Sequence, residues 1–326
     1  VTNDSMLAVT VNSLDDRDPL NGLRVGERPI PQAPEGWTTV HLKAAALNHH
    51  DVWTLRGAGI TEAQLPLILG CDGAGIDSQG NEVIVHSVIA DPDWRADETL
   101  DPRHTLLSEK HDGTLAEQVV VPTANLVPKP ASMSWEEAAC LPTSWLTAYR
   151  MLFTKAESKP GDTILVQGAG GGVATALIQL ATHAGLRVWV TSRDEDKRER
   201  ASRLGAHAVF ATGQRLPAKV DAVMETVGEA TWSHSVKSLK PGGVLVVSGA
   251  TSGGAPPIEL MRTFLLQHRI VGTTMGTRDE LSKLVSFCQA SGIHPLIDRI
   301  YPIADAAKAF DQLVSGDVFG KIVLSI

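Results

Sequence analysis

At 326 residues the chain exceeds the usual capacity of one hydrophobic core, so two domains are expected. Hydrophobic residues at 43% and charged residues at 20% are ordinary for a soluble globular protein, and a net charge of −8 disfavours nucleic acid or an anionic membrane as partner. Three cysteines, Cys71, Cys140 and Cys288, give no disulfide framework, and with no C-x-x-C pair a four-cysteine structural zinc site is excluded. The chain opens without a basic segment and hydrophobic run, and no apolar stretch approaches the roughly 18 residues of a membrane span. The expectation is a soluble, cytoplasmic protein acting on a small molecule. Val1 to Ser5 read as a disordered tail or an expression remnant.

Taken in chain order, the first third consists of short apolar runs broken by Pro, Gly and Asp. Thr38 to Lys43 alternates with the period of a half-buried strand, and Glu82 to His86 is a second strand candidate. The polar stretch from Ala90 to Lys110 reads as a surface excursion, leading into Gly113-Thr114-Leu115-Ala116-Glu117 and the strand-like Gln118 to Pro122. From about Pro160 strands and helices alternate: strands at 163–167, 187–191, 221–225, 243–248 and 270–273, helices from Val173 to about His183 and from Asp194 to Leu204. That alternation predicts βαβ units on a parallel sheet. The tail after Met275 holds two helical stretches and a final strand, 321–325, too little for a core of its own.

Gly168, Gly170, Gly171 and Gly172 stand where the first strand of the alternating region turns into its first helix, with Val173 following. Glycines there let the backbone approach a pyrophosphate, and the helix start supplies free N–H groups. The third glycine of the standard spacing is missing, and a tightly packed turn is the bland alternative. Folds that bind NAD usually end the second strand in Asp or Glu to hold the ribose hydroxyls. Here it ends Thr191-Ser192-Arg193, with Lys197 and Arg200 beyond, a set that attracts a 2′-phosphate and favours NADP. The acidic neighbours Asp194, Glu195 and Asp196 equally suit a solvated helix start.

Eight short segments in order carry a wider likeness: 46–51 (Ala-Leu-Asn-His-His-Asp), 69–75 (Leu-Gly-Cys-Asp-Gly-Ala-Gly), 113–117, 136–139 (Glu-Glu-Ala-Ala), 146–149 (Leu-Thr-Ala-Tyr), the glycine turn, 240–243 (Lys-Pro-Gly-Gly) and 320–324 (Gly-Lys-Ile-Val-Leu). Over nearly its whole length the chain resembles the medium-chain dehydrogenase/reductases, in particular the zinc-free quinone oxidoreductase-like members. The resemblance implies an α/β protein: a GroES-like β-barrel catalytic domain from 1–124 and 276–326, with a Rossmann doubly wound parallel sheet at 125–275 inserted. It also implies a homodimer or homotetramer pairing through the edge of the Rossmann sheet.

Zinc-dependent members of that family hold the metal with a Cys, a His-Glu pair and a second Cys. In this sequence those places are Asn48, Cys71-Asp72 and Thr143. Neutral Asn and Thr are poor zinc ligands, so no metal is expected, although His49, His50, Cys71 and Asp72 leave an improvised site open. Without a Lewis acid, polarisation must come from hydrogen-bond donors, which favours quinones and α,β-unsaturated carbonyls over plain alcohols.

The resemblance places His50 where alcohol dehydrogenases carry a proton-relaying hydroxyl, and imidazole suits that work. It places His49 near the pyrophosphate, Asp51 as an organiser of the loop, and Asn48 as a donor to a substrate oxygen. Tandem histidines are also an ordinary polar turn, and Asn48 an ordinary loop cap. Thr147, with Thr143 near it, falls against the nicotinamide, and Gly249 and Lys321 on the cofactor side; a plain strand start is the other reading of Lys321. Trp53 stands where some relatives carry a proton-donating Tyr, and with Cys71 and Trp145 is expected to wall the substrate pocket. Two other functions stay open: a zinc-type alcohol dehydrogenase, and a crystallin-like cofactor binder with little catalysis.

Overall fold

The computed structural model describes residues 4–326. Val1, Thr2 and Asn3, most of the expected tail, lie outside the described residues, whereas Ser5 already belongs to the first strand. Two compact units form: the described residues up to Ser144 with Gly276–Ile326, and Trp145–Met275. The crossover thus falls twenty residues after the expected 124/125 boundary. The reason is packing, since residues 126–128 pair with a strand of the first unit and the helix at 135–139 lies on its sheet.

The first unit begins with β1 (Ser5–Val11), β2 (Leu23–Pro29), β3 (Trp37–Ala46), α1 (His49–Leu55), β4 (Leu67–Ile68), β5 (Asp72–Asp77), β6 (Glu82–Val85), β7 (Val88–Ile89), β8 (Thr105–Leu106), β9 (Gln118–Pro122), β10 (Leu126–Pro128) and α2 (Trp135–Ala139). β1 lies between β2 and β4; the larger sheet runs β10–β6–β5–β3, with β9 also on β3. Inward residues of β3 alternate until Ala44, Ala45 and Ala46, where every position is buried. β3 there is paired on both flanks, with β5 and β18.

The second unit has α3 (Leu146–Tyr149), β11 (Thr163–Gln167), α4 (Gly172–His183), β12 (Arg187–Ser192), α5 (Glu195–Leu204), β13 (Ala208–Ala211), β14 (Val220–Glu225), α6 (Glu229–Ser238), β15 (Leu239–Val247), α7 (Leu260–Leu265) and β16 (Arg269–Gly272). Its strands are all parallel in the order β13–β12–β11–β14–β15–β16, a Rossmann arrangement. β11 is buried at every residue, as a central parallel strand must be. Asp194 caps α5 by accepting the Lys197 N–H, and Gly205 ends it at φ 123°, a value that favours glycine.

The chain then returns to the first unit with α8 (Arg278–Ser291), β17 (Ile297–Pro302), α9 (Ala306–Ser315) and β18 (Lys321–Ser325). β18 joins β3 and carries β17 on its far side, a strand the tail's sequence pattern did not suggest. Leu47, Leu55, Leu69, Phe310 and Leu324 meet in one core, so the C-terminal segment is part of the first fold rather than an appendage. The register matters most at one point: Ala46 faces both Asp72 on β5 and Val323 on β18. Among the described residues no helix is long and apolar enough to cross a membrane.

Candidate active site

That register brings the end of β3, the start of β5 and the start of β18 together. Lys321, the first residue of β18, donates to the Leu47 carbonyl at 2.7 Å, to Asn48 Oδ1 at 2.7 Å and to Asp72 Oδ2 at 3.0 Å. The Lys321 side chain is 2% exposed and that of Asp72 0%. An ammonium has three hydrogens, and all are committed here. Lys321, expected on the cofactor side, instead turns inward. Asn48 Nδ2 donates to Asp72 Oδ2 at 2.8 Å, so the carboxamide is held at both ends and one N–H is left over.

Asn48 is also the N-cap of α1. Asp51, three residues on, accepts the Asn48 backbone N–H at 2.8 Å, the reciprocal half of a capping box. Asp51 is wholly buried with Oδ1 unpartnered, and burial pushes its carboxyl up to about 6 despite the opposing pull of His50. Asp51 thus closes the turn that leads into α1. His49 heads α1 with its ring at the surface but crowded by protein; that crowding and the Lys321 charge lower its pKa.

His50 forms a second cluster. Its Nδ1 lies 3.4 Å from Cys71 Sγ and its Nε2 2.9 Å from Glu109 Oε1, while the Cys71 thiol donates to the Leu107 carbonyl at 3.3 Å. With the thiol proton on Leu107, Nδ1 is the donor to sulfur, and Nε2 donates to the carboxylate. Both ring nitrogens then carry protons. Burial opposes that charge, but the Cys71 sulfur and Glu109 outweigh it, and His50 sits well above an ordinary imidazole. Burial also pushes the Cys71 thiol up, so the standing counter-charge is the Glu109 carboxylate. His50 is 25% exposed, so its ring stays within reach of solvent.

Glu109 went unread in the sequence because it falls in the polar stretch taken as a surface excursion. The end of that stretch folds inward instead: Leu107 and Ser108 are wholly buried. Gly59 makes room, since a Cβ there would come within 2.6 Å of Glu109 Oε1, and its φ of 77° suits glycine. Trp53, on the outer side of α1, is 39% exposed beneath the Arg56 guanidinium at 5.0 Å. Cys71 is fully buried, a filler rather than an open pocket wall. Thr143 Oγ1 is buried without a partner, in a π-helical turn spanning Leu141–Trp145.

In the second unit, Gly168 has φ 86° and Gly171 is the N-cap of α4, with open space where a Cβ would lie. The first-turn N–H groups at Gly172 and Val173 have no intrahelical acceptor. A pyrophosphate fits such a cradle. Gly249 follows β15 at the same sheet end, where a Cβ would approach the Thr226 carbonyl at 3.1 Å. Ser192, at the end of β12, accepts the Asp194 N–H, and Arg193 next to it is exposed. Arg198 braces this corner by donating to the Ser192 and Arg193 carbonyls. Thr147 is buried in α3, and Trp145 beside it is fully buried, a core residue in place of the expected pocket wall.

The second unit carries a glycine-lined helix start of the kind that receives a dinucleotide, and the first a carboxamide held at both ends beside an imidazole–carboxylate pair. A family model described as alcohol dehydrogenase GroES-like domain matches residues 34–131, and one described as zinc-binding dehydrogenase matches residues 172–290. A zinc-type alcohol dehydrogenase-like protein of Schizosaccharomyces pombe is 31% identical, the alignment covering 96% of this chain and 97% of that one. The quinone oxidoreductase of Mus musculus is 28% identical over 91% of this chain and 90% of its own. Among solved structures, an NAD-dependent alcohol dehydrogenase superposes with TM-score 0.91 at 33% identity, covering 98% of this chain and all of that one. The 2-octenoyl-CoA carboxylase reductase CinF, in complex with NADP and 2-octenoyl-CoA, gives 0.90 at 25% identity over all of this chain and 88% of its own. The chain belongs to the medium-chain dehydrogenase/reductase superfamily.

One of those family descriptions implies zinc, and the donor set here does not fit it. Asn48 and Asp72 already face the Lys321 ammonium, and Thr143 offers only a hydroxyl. Among the described residues no three His, Cys, Asp or Glu side chains converge as a metal site.

Proposed function

We propose that this protein is an NADPH-dependent reductase of quinones or α,β-unsaturated carbonyls that works without zinc, in the cytoplasm, as a homodimer or homotetramer. The observation that carries the reading is the buried ammonium of Lys321 set between Asn48 and Asp72, where a metal's ligands would have to be. The similarity to the mouse quinone oxidoreductase and to the 2-octenoyl-CoA carboxylase reductase CinF, in complex with NADP and 2-octenoyl-CoA, supports the substrate class.

Bound nicotinamide supplies the hydride. The chain's own residues must hold the cofactor, polarise the acceptor and deliver a proton. Gly171, Gly172 and Val173 receive the pyrophosphate, while Ser192 and Arg193 face the 2′-phosphate, with no carboxylate ending β12. The spare Asn48 N–H donates to the substrate oxygen as negative charge develops there, and His50 supplies the proton, giving up its bond to Cys71 or Glu109 to do so and regaining a proton from solvent. Trp53 offers an apolar wall beside them.

Self-association is favoured by α7 and β16, where Leu260, Met261, Phe264, Leu265 and Ile270 are exposed, next to a cavity of about 280 Å³ lined by Trp232, Pro256 and Ile258. A zinc-type alcohol dehydrogenase is the second reading, favoured by the Schizosaccharomyces pombe relative. Turnover of chelator-treated protein on quinones, enones and alcohols separates the two. Enone or quinone reduction without metal supports the first; alcohol oxidation restored only by zinc supports the second.

A further inference from the structure

We infer that Lys321 is the resident cation of this site: its ammonium holds the ground a zinc ion would need and fixes the Asn48 carboxamide as the donor to the substrate oxygen. This rests on the reductase reading above and adds a positioning residue to it.

A carboxamide's oxygen and nitrogen are easily exchanged by a half-turn, and only its neighbours decide which end faces where. Here Oδ1 meets a donor, Lys321, and Nδ2 meets an acceptor, Asp72. The flipped amide would set N–H against ammonium and oxygen against carboxylate, two repulsive contacts in place of two charge-assisted bonds. Lys321 is further tied to the Leu47 carbonyl, one residue before Asn48, so the same ammonium sets both the side chain and the backbone leading into α1. The third consequence is electrostatic. Asp72, wholly buried, needs a counter-charge, and an ammonium fixed by the β18 register supplies it. A positive charge then stands behind the one amide N–H that remains available, and it does not dissociate.

The test must separate positioning from mere charge neutralisation. Lys321→Met alone strands a buried carboxylate, so the informative protein is Lys321→Met combined with Asp72→Asn, which removes both charges at nearly constant volume. With NADPH and an enone, the double variant is expected to melt close to wild type and keep its KM for NADPH. Its kcat should fall roughly ten- to a hundredfold, the worth of a charge-assisted hydrogen bond. Lys321→Arg, which keeps the charge, should recover part of that loss. A double variant with wild-type kcat would overturn the inference, because lysine would then serve only to balance Asp72.

Zinc titration of the wild-type protein against a chelating dye is a second test that needs no variant. No stoichiometric uptake at micromolar zinc supports an occupied site; one tightly held zinc per chain overturns it. If wild-type protein without metal reduces no quinone or enone, the reductase reading itself fails. If wild type is active and the double variant equally so, only the role of Lys321 fails.

Discussion

Replacing Glu109 by Gln removes the carboxylate that receives the His50 Nε2 proton while keeping the side chain's shape. The pair is 2.9 Å apart with each partner about a quarter exposed, so solvent screens it in part. A charge-assisted hydrogen bond of this kind contributes about 1–2 kcal/mol after that discount. The sign follows from His50, whose folded pKa is raised. Its stabilisation is fully present below the unfolded value near 6.5 and is lost as pH rises through the folded value. Glu109→Gln should therefore lower the melting temperature by about 1.5–3 °C at pH 6, with a smaller difference in alkaline buffer. In turnover, the alkaline limb of kcat/KM that reports loss of the His50 proton should move to lower pH. Gly59→Ala should do the same, because the added methyl meets the Glu109 carboxylate. An unchanged alkaline limb in both variants would refute His50 as the acid, whatever happened to the melting temperature.

Other outcomes follow from single groups. His86 is fully buried, neither ring nitrogen has a partner, and burial, with Arg278 adding to it, lowers its pKa to about 3. Its neutral form is favoured, so stability is lost as pH falls from 6.5 toward 3, by up to about 5 kcal/mol; His86→Phe should flatten acid denaturation over that window, and an unaltered acid curve would count against this assignment. Asp51 has the opposite arrangement, a raised carboxyl, so the native state holds its proton longer and stability falls as pH rises from about 3.8 to about 6, by about 3 kcal/mol. Asp51→Asn should remove that decline in urea titrations at pH 4 and pH 7; equal declines in both proteins would contradict it. Arg193→Ala should raise KM for NADPH roughly tenfold and leave NADH unaffected, and Ser192→Asp should reverse the preference. A loss shared equally by both cofactors would mean that these residues do not touch the 2′-phosphate.

Much of the fold was legible because its signals are local. The strand at 163–167, the helix closed by Gly205 and the strand at 321–325 stand in the structure where hydrophobic rhythm and glycine placed them. β13 and β17 left weaker traces, being partly exposed strands without a clean apolar run. The site was legible only where its residues are neighbours, as in Asn48 to Asp51 around one helix cap. Glu109 lies 59 residues from His50, and Lys321 lies 249 from Asp72 and 273 from Asn48. No spacing rule reaches across such distances; strand register and an inward-folding loop do. Trp145 misled for a related reason, since an aromatic residue near a cofactor motif looks like a pocket wall until its burial is known.

The most direct measurement of the central claim is cofactor oxidation by chelator-treated, metal-analysed protein presented with quinones and enones. The account requires turnover with less than about a tenth of a zinc per chain, faster with NADPH than with NADH. Turnover that appears only when zinc is added, in proportion to metal bound, would contradict it.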